Sequence, residues 1–264
     1  MFRFYIVLGM IIMFSLPTWA KLPDRPFLWA DDEAYKPLIY RDSTGEAKGI
    51  FYDVLTEAFK RMHIPLQNQL YPWSRTQKIV QEGDADGMVT VYTKARQKIF
   101  KATDPIVTVE ERIFTNKHNP KLSKILTVHS LADLKQFIIV DTADAGWSRE
   151  NLKNMHVTWV PTAESALHMI AVNRADIYLM SNFSGPYFIK EQIEKNGPLH
   201  KQLKTVVMGK HPITTMKYQL LIRKKSPYVS IIDKFNKVLH QMHTDGTYQK
   251  ILQKHQTNMS INHE

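Results

Sequence analysis

Residues 84–105 read D-A-D-G-M-V-T-V-Y-T-K-A-R-Q-K-I-F-K-A-T-D-P, and the fold is decided there. The apolar run Met88 to Tyr92 has the length and β-branched content of a buried strand. It ends in a polar turn with Arg96 just beyond it. Side chains two apart on a strand share a face, so Thr90 and Tyr92 straddle the strand end together. A cation held there, beside hydroxyls and free backbone amides, makes a site for an anion. A carboxylate gripped by Arg96 in a bidentate fashion can accept further bonds from the Thr90 or Thr93 hydroxyl.

Outward from this segment, short apolar runs alternate with helical periods, which argues for an α/β fold. Strands are predicted at Phe27–Ala30, Leu66–Tyr71, Met88–Tyr92, Phe137–Asp141, Val157–Val160, Ile177–Met180 and Tyr218–Ile222. Helices are predicted at Ile50–Met62, Arg75–Glu82, Ala163–Asn173, Gly185–Lys195, Val229–His243 and Tyr248–His255. Ligands of open α/β sheets bind outside the carboxyl ends of strands, which nominates the loops that follow them. Trp73, in Y-P-W-S-R at the end of the second strand, is expected in the cleft wall, with Arg75 as a second cation. The loop Asp141 to Trp147 follows a strand and precedes a helix. Its free amides suit a polar or anionic group, and Thr142 and Asp144 are its candidate contacts. Asp144 either caps the helix or meets a cationic part of the ligand.

The T-x-x-R turn (Thr93, Arg96), followed by T-D-P (Thr103, Asp104, Pro105), resembles the family 3 solute-binding proteins of bacterial ABC importers. Further matches are D-D-E-A-Y-K-P-L (residues 31–38), G-I-F-Y-D-V-L-T-E-A-F-K-R-M (49–62), S-L-A-D-L-K (130–135) and D-G-T-Y-Q-K-I (245–251). The resemblance implies a two-lobed periplasmic binding protein of type II, with a two-strand hinge and an interlobe ligand cleft. The lobes are expected at 21–113 plus 213–264 and at 114–212, with hinge segments at Val107–Asn116 and Gly209–Thr215. It further implies that Arg96 grips a carboxylate and that Tyr35 packs on the ligand. The family's ammonium-binding Asp aligns with Ser181, and neither Ser181 nor Asn182 carries charge. A carboxylate, peptide-like or aromatic-acid solute is therefore expected over a simple amino acid, unless Asp144 or Asp141 replaces the missing charge.

Residues 1–20 read as a cleavable export signal: Arg3, an apolar core at Phe4–Phe14, and the small-x-small triplet Thr18-Trp19-Ala20. No cysteine is present, so neither an acyl anchor, a disulfide framework nor a thiolate metal site is expected. The formal net charge of +10 comes from scattered Lys and Arg residues, without a basic block or a nucleic-acid motif, so nucleic acid is not an expected partner. The reading is a solvated basic surface with an anion-seeking cleft. His240 and His243 lack a third ligand at metal spacing, and no cofactor is expected. The expected partners are a small carboxylate ligand and a membrane permease, with the protein itself a monomer. The rival is a periplasmic enzyme of the cyclohexadienyl dehydratase type on the same scaffold, with Asp32, Glu33, Asp141 and Asp144 as its candidate acids. A sensory partner of a membrane receptor would use the same ligand chemistry.

Overall fold

The alternation of apolar runs and amphipathic helices builds a central mixed sheet in the computed structural model, which describes residues 22–195, 197 and 200–257. The export signal expected at 1–20 lies outside the described residues. In chain order the elements are β1 (Phe27–Asp32), β2 (Ala34–Tyr35), β3 (Ile39–Arg41), β4 (Ala47–Lys48), α1 (Ile50–Met62), β5 (Leu66–Tyr71), α2 (Trp73–Glu82), β6 (Gly87–Val91), α3 (Lys94–Gln97) and β7 (Phe100–Asn116). There follow α4 (Leu122–Ile125), a 3-10 turn at Leu131–Gln136, β8 (Ile139–Thr142), α5 (Gly146–Asn151), β9 (Val157–Val160), α6 (Ala163–Ala171) and β10 (Ile177–Ser181). The chain then forms α7 (Ser184–Glu194), α8 (His200–Leu203), β11 (Val206–Arg223), α9 (Ile232–Thr244) and α10 (Thr247–Thr257).

Eight strands form one sheet in the order β5-β1-β6-β11-β7-β10-β8-β9, and β2, β3 and β4 make a small separate one. The pairs β1–β5, β1–β6, β8–β9 and β8–β10 are parallel. Parallel neighbours need crossover connections, which α1, α2, α5 and α6 provide. Helix α1 shows why: Ile50, Phe51, Val54, Leu55, Ala58, Phe59 and Met62 lie on one buried stripe, the spacing of an amphipathic helix. Burying such side chains contributes roughly 1.5–3 kcal/mol each. The helix starts at Gly49, with φ 124°, where a Cβ would stand 2.5 Å from the Leu38 carbonyl oxygen, so only glycine fits. It stops at His63, in the left-handed conformation.

Two long strands dominate the centre. β7 runs 17 residues and β11 runs 18, paired from Phe100↔Arg223 to Asn116↔Val206. One end of the ribbon borders β6 through Tyr218–Ile222, and the other borders β10 through Glu111–Phe114. The same two strands thus serve both halves of the sheet. The sequence suggested shorter hinge segments, Val107–Asn116 and Gly209–Thr215, with the second separating two strands. Pro105 and Pro212 are instead absorbed where the register slips, since a proline donates no ladder bond and is tolerated at irregularities. Separate hydrophobic clusters support the halves. One packs α1, α9 and α10 around Phe27, Phe59 and Phe235, another surrounds Leu134, Phe137 and Ile177, and a third surrounds Leu167, Ile170 and Phe114.

Candidate functional site

Residues 87–97 fold into β6, the turn Tyr92–Thr93 and α3. Thr93 caps α3, its hydroxyl accepting from the Arg96 backbone N–H at 3.3 Å. That turn throws the Arg96 side chain back across the strand end. Its Nη1 donates to the Thr90 hydroxyl and the Val91 carbonyl, both at 2.9 Å, its Nη2 donates to Gln77 Oε1 at 2.9 Å, and the guanidinium lies 5.5 Å from the centroid of the Trp73 ring. Arg96 is only 8% exposed. Burial lowers its pKa to about 10, and no carboxylate lies within ion-pair distance among the described residues. A cation fixed by neutral acceptors and desolvated, with the Glu150 carboxylate acting on it only from beyond ion-pair distance, is poised for an anion. Because Thr90 accepts from Arg96, its own hydroxyl proton stays available to a ligand.

Arg96 faces a cavity of about 500 Å³ at the β7–β11 ribbon, within the range of small-ligand sites. Tyr35, Trp73, Thr90 and Arg96 line it from one half, and Thr142, Asp144 and Ser181 from the other. Seven of the ten nominated residues therefore come together. Tyr35 packs on the core as well, its hydroxyl bonded to that of Tyr218 at 2.8 Å.

The other three stand elsewhere. The Tyr92 side chain points away from Arg96, its hydroxyl donating to the Phe100 carbonyl at 2.9 Å, because β6 ends one residue earlier than expected and turns its face. Arg75 is exposed and stacks 4.7 Å from the Tyr71 ring. Helix α2 begins at Trp73 rather than at Arg75, and this rotates Arg75 to the outer face. Asn182 is part of the ribbon's frame: its backbone N–H donates to the Glu110 carbonyl at 2.8 Å, and its side-chain oxygen accepts from the Glu110 N–H at 3.2 Å. Asp144 is not a helix cap, since Ala145 holds the N-cap position of α5, without a side-chain cap bond.

The cavity is acidic. Asp31, Asp32, Glu111, Asp141, Asp144, Glu164 and Glu191 line it, against Arg96 and Lys36, so the protein's positive balance belongs to its exterior. Asp31 is a frame residue, accepting from Trp29 Nε1 and from the Val89 and Asp32 N–H groups. Burial still pushes it to about 7. Burial raises Asp32 to about 6, with the charge of Asp144 adding to it from the facing wall. Asp141, at the end of β8, is likewise raised to about 6 by burial, and Asp144 adds to this. At the mouth, Lys36 Nζ meets Glu191 Oε1 at 2.9 Å, tying β2's loop to α7 across the opening.

The residue that the sequence reading missed is Glu111. It lies on β7, 4% exposed, with its carboxylate in the cavity. It pairs with Ser181 on β10 and Thr214 on β11. Burial, then the charge of Asp141, pushes its pKa to about 8. A signal existed: Val107, Val109, Glu111 and Ile113 alternate along one buried face, and a lone carboxylate in such a series is out of place unless it has a task. Ser181 itself accepts from the Phe183 and Ser184 N–H groups and shapes the turn into α7.

This architecture, two sheet halves on a shared pair of long strands with a lined cavity between, is that of the periplasmic binding proteins. The chain belongs to the bacterial extracellular solute-binding proteins, family 3, whose model matches residues 28–258. No curated protein matches it in sequence. Among solved structures it is similar to a histidine kinase sensor domain with similarity to periplasmic binding proteins (TM-score 0.71, 19% identity, 88% of this chain and 96% of that one). The arginine-, lysine-, histidine-binding protein ArtJ of Geobacillus stearothermophilus gives TM-score 0.68 at 18% identity, over 88% and 95% of the two chains. An ancestral amino-acid-binding protein described as a precursor of cyclohexadienyl dehydratase gives 0.63 at 21%, over 87% and 94%. At these identities the likeness is one of fold.

Proposed function

We propose that this protein is an exported solute-binding protein that captures a small zwitterionic solute, carboxylate and cation together, between two lobes. The desolvated Arg96, fixed by Thr90, Val91 and Gln77 and without a carboxylate in ion-pair contact among the described residues, Glu150 acting on it only from farther off, carries the reading, because a carboxylate completes what the fold leaves open. The lobes comprise residues 21–113 with 213–264, and 114–212, and β7 and β11 are the hinge on which they close. Closure brings Thr142 and Asp144 onto a solute already held by Arg96 and the Tyr35 and Trp73 rings. Interactions made in the shut form alone shift the balance toward it.

The protein is read as a periplasmic monomer released by cleavage after residue 20, serving an ABC importer. The similarity in fold to a kinase sensor domain supports delivery to a receptor as the second reading, with the same ligand chemistry. The structural neighbours whose names record arginine, lysine or glutamine binding argue for trying amino-acid-like solutes first in a screen.

The test is a thermal-shift panel of amino acids and small carboxylates on the mature protein, repeated with Arg96→Ala. Stabilisation by at least one solute, lost in the variant, is the expected result. A panel without a stabilising solute, or one whose effect survives Arg96→Ala, overturns the reading. If a stabilising solute is chemically converted on incubation with the protein, the dehydratase-type enzyme replaces the binding protein.

A further inference from the structure

Glu111 and Ser181 are register partners on neighbouring strands, so a carboxylate stands beside the position where the sequence shows a neutral hydroxyl. We propose that the Glu111 carboxylate, on the hinge strand and facing Asp141, is the receptor for the cationic group of the solute, an organic ammonium, amidinium or guanidinium. The inference rests on the solute-binding reading and assigns the second half of the ligand.

Three observations carry it. The Glu111 side chain has no hydrogen-bond or ion-pair partner among the described residues, although it is almost wholly buried and opens on the cavity. The cation nearest in sequence, Arg112, is turned to the other face of β7, where its Nε and Nη2 donate to Glu110 Oε2 at 3.0 and 2.6 Å, so it cannot neutralise Glu111. Arg96, the cavity's fixed cation, is committed to Thr90, Val91 and Gln77. A buried carboxylate without a partner is costly unless a charge arrives to meet it. The cavity carboxylates do not form a metal-holding group among the described residues, and their spread suits the larger span of an organic cation.

The groups facing Glu111 are Asp141 from β8, Tyr178 from β10, Tyr218 from β11 and Tyr35 from β2. Burial holds the three phenols neutral far above physiological pH. The empty site therefore keeps a proton at Glu111 near neutrality, because burial and Asp141 oppose its ionisation. An incoming cation reverses that balance: the carboxyl ionises, its proton passes to solvent, and the ion pair forms.

The experiment is calorimetry on the mature protein with three probes: L-arginine, agmatine, which keeps the cation and lacks the carboxylate, and glutarate, which lacks the cation. Each is titrated at pH 7 in phosphate and in Tris, whose ionisation heats differ. L-Arginine is expected to bind, agmatine more weakly, and glutarate weakest, with proton release seen as a buffer-dependent heat for the two cations. Glu111→Gln, which keeps shape and hydrogen-bonding capacity, should lower L-arginine affinity at least tenfold and abolish the buffer dependence. The buffer comparison on the unaltered protein stands if that variant fails to fold. Glutarate binding as tightly as L-arginine and depending on Arg96, or L-arginine affinity within twofold in Glu111→Gln, or heats identical in the two buffers, overturns the Glu111 assignment and leaves the solute-binding reading intact. If none of the probes binds, both fall.

Discussion

The two walls of the cavity are built from unlike chemistry. The wall formed by the β6 end, α2 and α3 offers a guanidinium already oriented by Thr90, Val91 and Gln77, with an aromatic ring beside it. The wall formed by β8 and its loop, with β7 at its foot, offers carboxylates that burial keeps reluctant to ionise. The first is complete except for an anion and the second except for a cation. The proposed solute, carrying both charges, would satisfy the two at once.

The sharpest way to break this contrast is Arg96→Ala. Losing a charge-assisted bond costs about 1.5–3 kcal/mol, or roughly 10- to 150-fold in affinity, for whichever solute stabilises the protein. Far-UV circular dichroism should be unchanged, because Arg96 ties down a four-residue helix and not a core. Unaltered affinity would remove the anion wall.

Trp73→Ala comes next. The ring flanks Arg96, and it also packs against the cluster containing Val80, Met88 and Phe100. Affinity should fall with the loss of about 0.5–2 kcal/mol of cation–π support for the guanidinium, and the melting temperature should fall too. A lower melting temperature with intact binding would return Trp73 to a packing role.

The acid wall is sharpened by pH. Asp31, Asp32, Glu111 and Asp141 have pKa values raised above those of the unfolded chain, to between about 6 and 8. Their protonated forms are favoured in the fold, so the unfolded state binds fewer protons over this range. Their contribution to stability is therefore full below about pH 4 and is lost as pH rises through about 6 to 8. The unliganded protein should melt higher at pH 5 than at pH 8 by a few degrees, with roughly 2–4 °C per kcal/mol for a chain of this size. Glu111→Gln should flatten the slope, and an unchanged slope would show that Glu111 is ionised throughout.

The smallest effects belong to residues outside both walls. Asn182→Ala removes the acceptor for the Glu110 N–H and should cost about 0.5–1.5 kcal/mol of stability. Arg75→Ala should leave affinity unchanged and stability within about 0.5 kcal/mol. A binding defect in Arg75→Ala would restore it as a second cation.

What the sequence disclosed follows from how local each signal is. Helix α1 was readable residue for residue because its period and its glycine start lie within one short window. Arg96 was readable because strand, turn and cation are contiguous. β7 and β11 were read only as short hinge segments, Val107–Asn116 and Gly209–Thr215, since a long irregular ladder is established by its partner strand and not by its own pattern. That reading hid Glu111, whose meaning depends on β8 and β10 far along the chain. Tyr92 and Arg75 lie outside the cavity for a smaller reason: one residue of shift at a strand end or helix start turns a side chain to the opposite face.

Glu111 is the first residue of β7 to pair with β10, next to the place where the ribbon passes from one half of the molecule to the other. Points near the axle of a swinging door travel little, while the outer edge sweeps a wide arc. A charge seated near the axle greets a solute almost equally whether the door stands ajar or shut. It can therefore set how readily the solute is retained, and it does little to decide whether the door closes. On the proposed closure, that decision would fall to the rim, to Asp144 and to the Lys36–Glu191 link at the mouth. Small-angle scattering of the saturated Glu111→Gln protein should then show the same compaction as the unaltered protein, and a failure to compact would move the axle elsewhere.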